Sequence, residues 1–429
     1  SPNAAVAPNF SAVTNSFEQD KLFGPLEKQD LEWTCAGGFA TETQTWYTVL
    51  DDGSFATSQI IHSSVGLWYP QIQMTFKYFN PTTKEKIWKS VNVTKFAPQA
   101  DKRSSKADQF SVTFSTSDNG DEKYTITANL DTDLQLSYSF QRPAAASGWK
   151  LGSGPKGGMS YFGTNPSSPD GYVVHRFWPT ASSEGHIIAK GRAIDANGRG
   201  MFVHAIQGMR PNLVASRWNF ANFQSKDLGG VSAIMMEFTT TSDYGFPLQQ
   251  SSGTAPAAAG RETVTVNIGS VSVGGKLIAI TASTKGGSSQ DSIGSKSGVE
   301  HLDRTLDQDT GYEAPQSIRY TWEGPLLLPD AKGDVSNLVQ GSIKVNLGKP
   351  YPQSETSGLV DKVDVLAEIP YMVRKLVNYV AGTKPYIYQT LNEVTLDLTL
   401  PEAYKGVGED QGKVSVKGDL FEEHTFISS

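Results

Sequence analysis

The sequence predicts an all-β fold made of two tandem antiparallel β-barrels, with a short amphipathic helix near the C-terminal end. Three observations support this prediction. From about Leu31 onward, apolar and polar residues alternate with a period of two, as in strands that bury one face. Turn-forming sequences separate the alternating runs. Aromatic residues make up 10% of the chain, and 41 Gly and 22 Pro supply many turns.

The N-terminal half contains the clearest strand patterns. In residues 71–78, apolar and aromatic side chains occupy the even positions and polar side chains the odd positions. Similar alternation recurs at residues 110–114, 124–130 and 134–140. The short turns between these runs predict antiparallel hairpins. Several strands carry aromatic residues on both faces, so the pattern leaves open which face points inward.

Strand patterns resume after loop-like sequences at residues 143–158 and 163–171. The later runs lie at residues 201–206, 231–235, 264–268, 277–280, 318–322, 343–347, 394–400 and 414–416. We therefore divide the chain into an N-terminal leader (1–27), an N-terminal domain (28–172) and a C-terminal domain (173–429). Each domain has enough strands to close a barrel of about eight, which removes exposed sheet edges.

A single convincing helix is predicted at about residues 370–381. Pro370 suits the first turn of a helix, and Gly382 lies just past the end. Apolar residues recur at helical spacing, at Ile369, Met372, Val373, Leu376, Val377 and Val380. We expect this stripe to pack against the outside of a barrel, and a membrane-surface helix is the alternative.

Charge and composition exclude several classes of protein. The net charge is −7 and Lys and Arg are scattered, so nucleic acid is not an expected partner. The single cysteine, Cys35, cannot form an intramolecular disulfide or a Cys-rich zinc site and indicates a reducing compartment. No run reaches the roughly 18 apolar residues of a membrane helix. The chain begins with Ser1 instead of Met, so we expect the natural N-terminus to lie upstream.

Catalytic, metal and cofactor motifs are missing from the sequence. Residues 152–157 match GxGxxG, but Pro155 interrupts the match and no βαβ pattern surrounds it. No P-loop or nucleophile elbow occurs, and none of the 6 histidines has metal-ligand spacing. The sequence predicts no catalytic residue, no metal and no cofactor. Glu422 and Glu423 are expected on a solvated face.

Aromatic and polar residues occur together in three clusters, which supply the candidate ligand-binding residues. Rigid rings beside amide, imidazole or guanidinium groups can line a site where a few polar groups orient an apolar ligand. The competing interpretation is that these residues form barrel core and contacts between barrels. The candidates are His62, Trp68, His175, Trp178, His204, Gln207, Met209, Trp218 and Phe220.

The same clusters resemble a known family, the fungal survival factor (oxidative stress survival, or cell survival pathway) proteins. The resemblance extends over about residues 30–429. It is carried by Ser58–Ser63, His175–Pro179, Met201–Pro211, Trp218–Phe220, Met236–Thr240 with Tyr244-Gly245, Ala381–Gln389 and His424–Ser428.

The resemblance implies two tandem lipocalin-like (calycin) barrels and a cytoplasmic protein with nuclear and peripheral Golgi and ER membrane pools. It also implies support of cell survival under oxidative stress and binding or transfer of a sphingolipid, most concretely ceramide. Family members usually begin with a short amphipathic helix that contacts membranes transiently. No such helix is recognisable here before about residue 28. The family supplies no catalytic residues to carry over.

Three functions remain open from the sequence. The first is a lipid carrier in which one barrel holds the apolar chains and polar residues at its mouth bind the headgroup. The second is an enzyme of the pericyclase or hydratase kind, with His62, His204 or Glu237 as candidate catalytic groups. The third is a non-catalytic stress scaffold, which filled barrel interiors and an exposed apolar patch would favour.

Overall fold

We describe the fold from a computed structural model. It describes residues 7–64, 68–247, 261–286, 295–330, 332–368, 384–404 and 412–428. The all-β prediction is confirmed, because nearly all regular structure lies in two large antiparallel sheets. The α-helices are α1 (Pro211–Val214) and α2 (Val365–Glu368), and 3-10 turns lie at Val13–Asn15, Gln19–Lys21, Lys28–Leu31, Asp227–Gly229 and Gln353–Glu355. Among these described helices, none is long and apolar enough to span a membrane.

The first sheet is built from the strands before residue 208. They are β1 (Phe10–Ser11), β2 (Phe23–Pro25), β3 (Thr41–Leu50), β4 (Phe55–Ser63), β5 (Gln71–Phe79), β6 (Lys86–Asn92), β7 (Ala97–Pro98), β8 (Ser105–Lys106), β9 (Phe110–Thr116), β10 (Glu122–Asp131), β11 (Leu134–Arg142), β12 (Trp149–Leu151), β13 (Met159–Phe162), β14 (Gly171–Ala189), β15 (Arg192–Asp195) and β16 (Gly198–Gln207). The main path runs β6-β5-β4-β3-β16-β14-β11-β10-β9. This sheet curls around its core, and no pairing within the described residues joins β6 to β9.

The second sheet is built from the strands after residue 216. They are β17 (Arg217–Ser225), β18 (Val231–Thr239), β21 (Thr265–Val273), β22 (Lys276–Lys285), β23 (Gly298–Leu302), β26 (Ser317–Leu327), β27 (Gly333–Asn346), β28 (Leu359–Asp364), β29 (Tyr386–Thr399) and β30 (Lys413–Phe426), while β19 (Phe246–Pro247) pairs with β20 (Arg261–Glu262) and β24 (Thr305–Leu306) with β25 (Glu313–Ala314). The order β22-β21-β18-β17-β30-β29-β27-β26 closes through a pairing of Ala279 with Leu326. Eight strands therefore form a closed barrel.

Both sheets fill their concave sides with large side chains. In the first sheet, Trp46 and Tyr124 pack 5.2 and 5.0 Å from the Phe202 ring, and all three are fully buried. In the barrel, the Trp322 Nε1–H donates to the Ile234 carbonyl at 2.9 Å. Gly269 makes this contact possible, because a Cβ there would lie 3.2 Å from the indole and 2.6 Å from that carbonyl.

A third core joins the two sheets. The convex face of β3 and β4 packs against β17 and β30. The Phe55 and Phe421 rings stack with centroids 4.0 Å apart, and Tyr47 lies 4.7 Å from Phe220. The two sheets therefore share one continuous apolar cluster and form a single packed unit.

The N-terminal segment 7–27 packs against both sheets. Strand β1 pairs with β13 in the first sheet, while the Phe10 ring lies 6.2 Å from Phe238 of the barrel. The Thr14 hydroxyl hydrogen-bonds to that of Thr284. The glycine motif at 152–157 leaves room for this segment to pack closely. A Cβ at Gly152 would lie only 2.2 Å from the Phe17 ring.

The passage of the chain from the first sheet to the second differs in position from the predicted domain boundary. The predicted domain boundary between residues 172 and 173 falls inside β14, and both β14 and β16 hydrogen-bond within the first sheet. The chain passes to the second sheet between Gln207 and Arg217. The division into independently folding domains stays a prediction. The predicted helix at 370–381 lies outside the described residues.

We predict that Phe421→Ala destabilises the whole chain by about 3–5 kcal/mol, because it removes a fully buried ring from the shared core. Urea unfolding followed by far-UV circular dichroism measures this. The control is Val335→Ser, at a side chain that is 58% exposed, which should change stability by less than about 0.5 kcal/mol. A loss below about 1 kcal/mol for Phe421→Ala would contradict the packing described here.

Candidate functional site

A cleft lies between the two sheets, beside their shared core. It consists of two adjoining lobes of about 360 Å³ and 280 Å³. Small-molecule sites usually occupy roughly 300–1,000 Å³, so the cleft has a suitable size. Both lobes are lined by Thr45, Tyr47, Gln59, Pro211, Val365, Ile387 and Glu423. We call the larger one the polar lobe and the smaller one the aromatic lobe.

The polar lobe is formed by the convex face of β3, β4 and β5. Because side chains alternate along a strand, the apolar positions of β5 enter the core of the first sheet and its polar positions face the cleft. The polar lobe is completed by residues Thr41, Thr57, Ile61, Ser63, Gln71, Gln73, Thr75, Lys77, Trp88, Ser90, Val363, Glu368 and Gln389. Hydroxyl and amide side chains therefore dominate its polar surface.

A hydrogen-bonded network crosses the polar lobe from one sheet to the other. The Lys77 ammonium group, on β5, donates to the Gln389 Oε1 at 2.5 Å and to the Asp361 carboxylate at 3.3 Å. The Gln389 Nε2 lies 3.5 Å from a carboxylate oxygen of Glu423. The Tyr47 hydroxyl also donates to Glu423. The network thus holds one cation and two carboxyl groups away from bulk water.

Burial shifts the pKa values of this network. It raises the pKa of Glu423, while the hydrogen bonds from Tyr47 and Gln389 and the charge of Lys77 oppose the rise. Burial and the neighbouring Glu423 raise the pKa of Tyr47 well above its ordinary value. Burial lowers the pKa of Lys77, and Asp361 partly restores it. Each shift favours the uncharged form of its group.

The aromatic lobe is lined by rings and aliphatic side chains from β14, β16, β17, β18 and β30. The Trp218 ring meets the His175 ring edge to face at 5.8 Å. Burial lowers the pKa of His175 to about 4, so this imidazole is neutral near pH 7. The other residues lining this lobe are Thr43, Val203, Ala205, Gln207, Asn212, Phe220, Met236, Pro385, Thr425 and Ile427.

The structure brings four of the nine candidate residues together. His175, Gln207, Trp218 and Phe220 line the aromatic lobe. Met209 lies in the core between the sheets, beneath Gly171. A role of these five residues in ligand binding stays a prediction.

The other four candidates lie apart from the cleft lining. Trp178 packs 5.2 Å from Phe202 inside the first sheet. His62 and His204 also lie on that concave side, 6.4 and 6.3 Å from the Trp33 ring. The Trp68 side chain is 103% exposed.

His204 links the segment 28–35 to strand β3 of the first sheet. Its Nδ1 lies 2.8 Å from the Asp30 carbonyl and its Nε2 lies 2.6 Å from the Glu42 carboxylate. The Cys35 N–H also donates to Glu42, at 2.8 Å. Both ring nitrogens therefore face oxygen atoms of the surrounding chain. Burial opposes ionisation of Glu42, but His204 and Thr34 outweigh it and lower the pKa.

Glu237 belongs to a second buried network, inside the barrel. It accepts hydrogen bonds from Asn219 at 3.2 Å and from Asn267 at 2.9 Å. The Asn219 side-chain oxygen in turn lies 2.8 Å from His301 Nε2 and 3.1 Å from His424 Nδ1. The partners of Glu237 are thus the Asn219 and Asn267 side chains and the backbone N–H of Val299, all in the second sheet.

The expectation of a solvated face at Glu422 and Glu423 is wrong. Glu422 is fully buried and accepts hydrogen bonds from Tyr320 at 2.5 Å and Thr390 at 2.8 Å. Glu423, on the opposite face of β30, lines the cleft. Closure of the barrel covers one side of this strand and the first sheet covers the other.

Sequence reasoning missed most of the polar lobe. A signal was present, since the odd positions of β3 to β5 are rich in Thr and Gln and carry few of the Lys and Glu residues typical of a solvent-facing strand. In the part of the chain that the structure describes, no group of three His, Cys, Asp or Glu residues is placed to hold a metal. Burial raises the pKa of the Cys35 thiol to about 11, which disfavours the reactive thiolate.

We predict that Glu423→Gln stabilises the chain near pH 7. The folded chain favours protonated Glu423, so ionisation costs stability as the pH rises above the ordinary value of 4.5. Gln avoids this cost and can still accept the Tyr47 hydrogen bond. Thermal unfolding between pH 4 and 8 measures the effect, which should shrink towards pH 4. Glu393→Gln, at an exposed position of β29, is the control. A lower melting temperature for Glu423→Gln at pH 7 would contradict the burial argument.

Comparison with known proteins places the chain in a family. A structural comparison aligns the chain with the crystal structure of kievitone hydratase from Nectria haematococca over 98% of each chain, with 12% identity and a TM-score of 0.43. In sequence, the chain is 32% identical to the ceramide-binding protein svf1 of Schizosaccharomyces pombe, covering 97% of this chain and 93% of that protein. It is also 32% identical to the ceramide-binding protein SVF1 of Yarrowia lipolytica, covering 98% and 94%. The Svf1 family model matches residues 2–428, and the chain therefore belongs to the Svf1 family.

Proposed function

We propose that this protein binds ceramide in the cleft between its two sheets and carries it between membranes without altering it chemically. The observation that carries the proposal is the pairing of the two lobes. Hydroxyl and amide side chains are most numerous in the polar lobe, most of the rings line the aromatic lobe, and apolar surface predominates in both. Ceramide has the matching parts, an amide with hydroxyl groups beside hydrocarbon chains. The names of the relatives as ceramide-binding proteins support the same ligand.

The proposed site differs in position from the one expected from sequence, which was the inside of a barrel. Both concave sides are packed with buried aromatic residues, among them Trp46 and Trp322. Filled interiors alone would fit a scaffold equally well. The cleft favours a carrier over a scaffold, because it supplies room for a ligand outside both interiors.

The candidate catalytic groups give no support to an enzyme. His62, His204 and Glu237 are absent from the described lining of the cleft. His204 and Glu237 are held by buried partners within their own sheets. We therefore propose a carrier without catalysis, acting in the cytoplasm with nuclear and peripheral Golgi and ER pools and supporting survival under oxidative stress.

The carrier must exchange ceramide with a bilayer, and we propose that Trp68 and Tyr69 contact it. These side chains are 103% and 63% exposed. Ser63 and Gln71, which flank this loop, both line the polar lobe. Trp and Tyr favour the membrane–water interface, because their rings are apolar and their polar atoms stay hydrated. An aromatic contact here would bring the mouth of the cleft to the membrane.

We predict that Ala205→Trp reduces ceramide binding at least ten-fold, because the indole would occupy the aromatic lobe that Ala205 lines. Native mass spectrometry after incubation with ceramide-containing vesicles measures the bound lipid. Thr113→Trp, on the exposed face of β9, is the matched control and should bind like the parent chain. Equal ceramide binding by both variants would rule out the cleft as the site.

We predict that Trp68→Ser combined with Tyr69→Ser slows ceramide transfer from donor to acceptor vesicles at least five-fold. Binding of ceramide presented in detergent should stay within two-fold, because neither residue lines the described cleft. Val335→Ser, an exposed apolar position on β27, controls for lost surface hydrophobicity. Unchanged transfer by the double variant would show that membrane contact lies elsewhere.

A further inference from the structure

We propose that the cleft selects an uncharged headgroup and rejects phosphorylated sphingolipids, with Glu423 as the specificity-determining residue. This inference rests on the proposed function and adds the headgroup class to it. It follows from the charges that line the cleft and from their partners.

The cleft offers little positive charge to an anionic headgroup. Among the described residues that line its two lobes, Lys77 is the sole lysine or arginine. His175, at the far lobe, is neutral near pH 7 because burial lowers its pKa to about 4. Phosphate sites usually combine arginine forks, lysines or several converging N–H groups. The described lining contains no such cluster.

The one cation already has partners. The Lys77 ammonium donates to Gln389 at 2.5 Å and to Asp361 at 3.3 Å, and it lies 3.9 Å from the centre of the Trp88 ring. Asp361 is shared with Lys86, at 3.0 Å. The Lys77 side chain is 6% exposed, so it has little freedom to turn towards a ligand. A phosphate would have to break these contacts to reach the charge.

Two carboxyl groups line the same lobe and oppose an anion. Glu423 lies between the lobes, within hydrogen-bond reach of Tyr47 and Gln389, and Glu368 lies at the end of α2. In a site withdrawn from water, repulsion between like charges is screened less than at the surface. Where the pH exceeds the raised pKa values of Glu423 and Glu368, both groups are ionised and a phosphorylated headgroup would face this repulsion. An uncharged headgroup would not.

The remaining polar groups suit an uncharged headgroup. Gln59, Gln73, Thr57, Thr75 and Ser90 all line the polar lobe. Their amide and hydroxyl groups both donate and accept hydrogen bonds, as do the amide and hydroxyl groups of a neutral sphingolipid. Hydrogen bonds of this kind would orient the headgroup without requiring a charge on the ligand.

The test is a direct competition between two lipids that differ only in the headgroup. The full chain is incubated with vesicles that hold equal amounts of ceramide and ceramide 1-phosphate with the same acyl chain. The bound lipid is then extracted and quantified by mass spectrometry. We expect at least a ten-fold preference for ceramide. Glu423→Gln should reduce that preference at least three-fold, while Glu393→Gln, on β29 outside the cleft lining, should leave it unchanged.

A second variant adds a positive charge to the cleft, whereas the first removes a negative one. Gln73→Arg adds a cation to the partly exposed part of the polar lobe and should increase binding of ceramide 1-phosphate. Thermal unfolding establishes that each variant is folded. Equal binding of both lipids by the parent chain would overturn the selectivity while leaving the proposed function intact. A preference untouched by Glu423→Gln would overturn the role of Glu423. Binding of neither lipid would overturn the proposed function itself.

Discussion

The packing of one strand face against the other sheet is the contact on which the rest of the molecule depends. Along the convex face of β3, the residues change from Thr41, Thr43 and Thr45 at one end to Tyr47 and Val49 at the other. At the apolar end, Phe55 stacks on Phe421, and this contact joins the two sheets. At the threonine end of the described strand the small polar side chains supply less apolar surface for dry contact, and the same face continues as the wall of the cleft.

The filled interiors explain why the cleft, and not a barrel, is the space available to a ligand. Aromatic residues pack both concave sides, and each sheet also contains a buried hydrogen-bonded network. His204 and Glu42 secure the first sheet, while Glu237 and Asn219 join strands of the barrel. Buried polar groups of this kind are costly to separate, so these interiors resist opening. A site between the sheets requires neither interior to open.

The cleft combines low exposure with nearly complete pairing of its charges. Lys77, Asp361, Gln389 and Glu423 come from both sheets, so their network also ties the sheets together across the site. A site of this kind disfavours a ligand whose polar or charged groups would be left without partners. In the proposed carrier, the amide and hydroxyl groups of an uncharged headgroup would find partners in the cleft. The buried Cys35 thiol, with its raised pKa, offers no direct link to oxidative stress.

The sequence by itself determined the all-β class, most strand positions and the family, because period-two alternation reports directly on one-sided burial. It also singled out four of the residues that line the aromatic lobe, such as His175 and Trp218. Only the tertiary structure decided where the cleft lies. Alternation says that one face of β5 is polar, but not whether water or another sheet covers that face. For the same reason Glu422 and Glu423 were placed in solvent, whereas barrel closure buries Glu422 and the packing of the first sheet leaves Glu423 half-buried in the cleft.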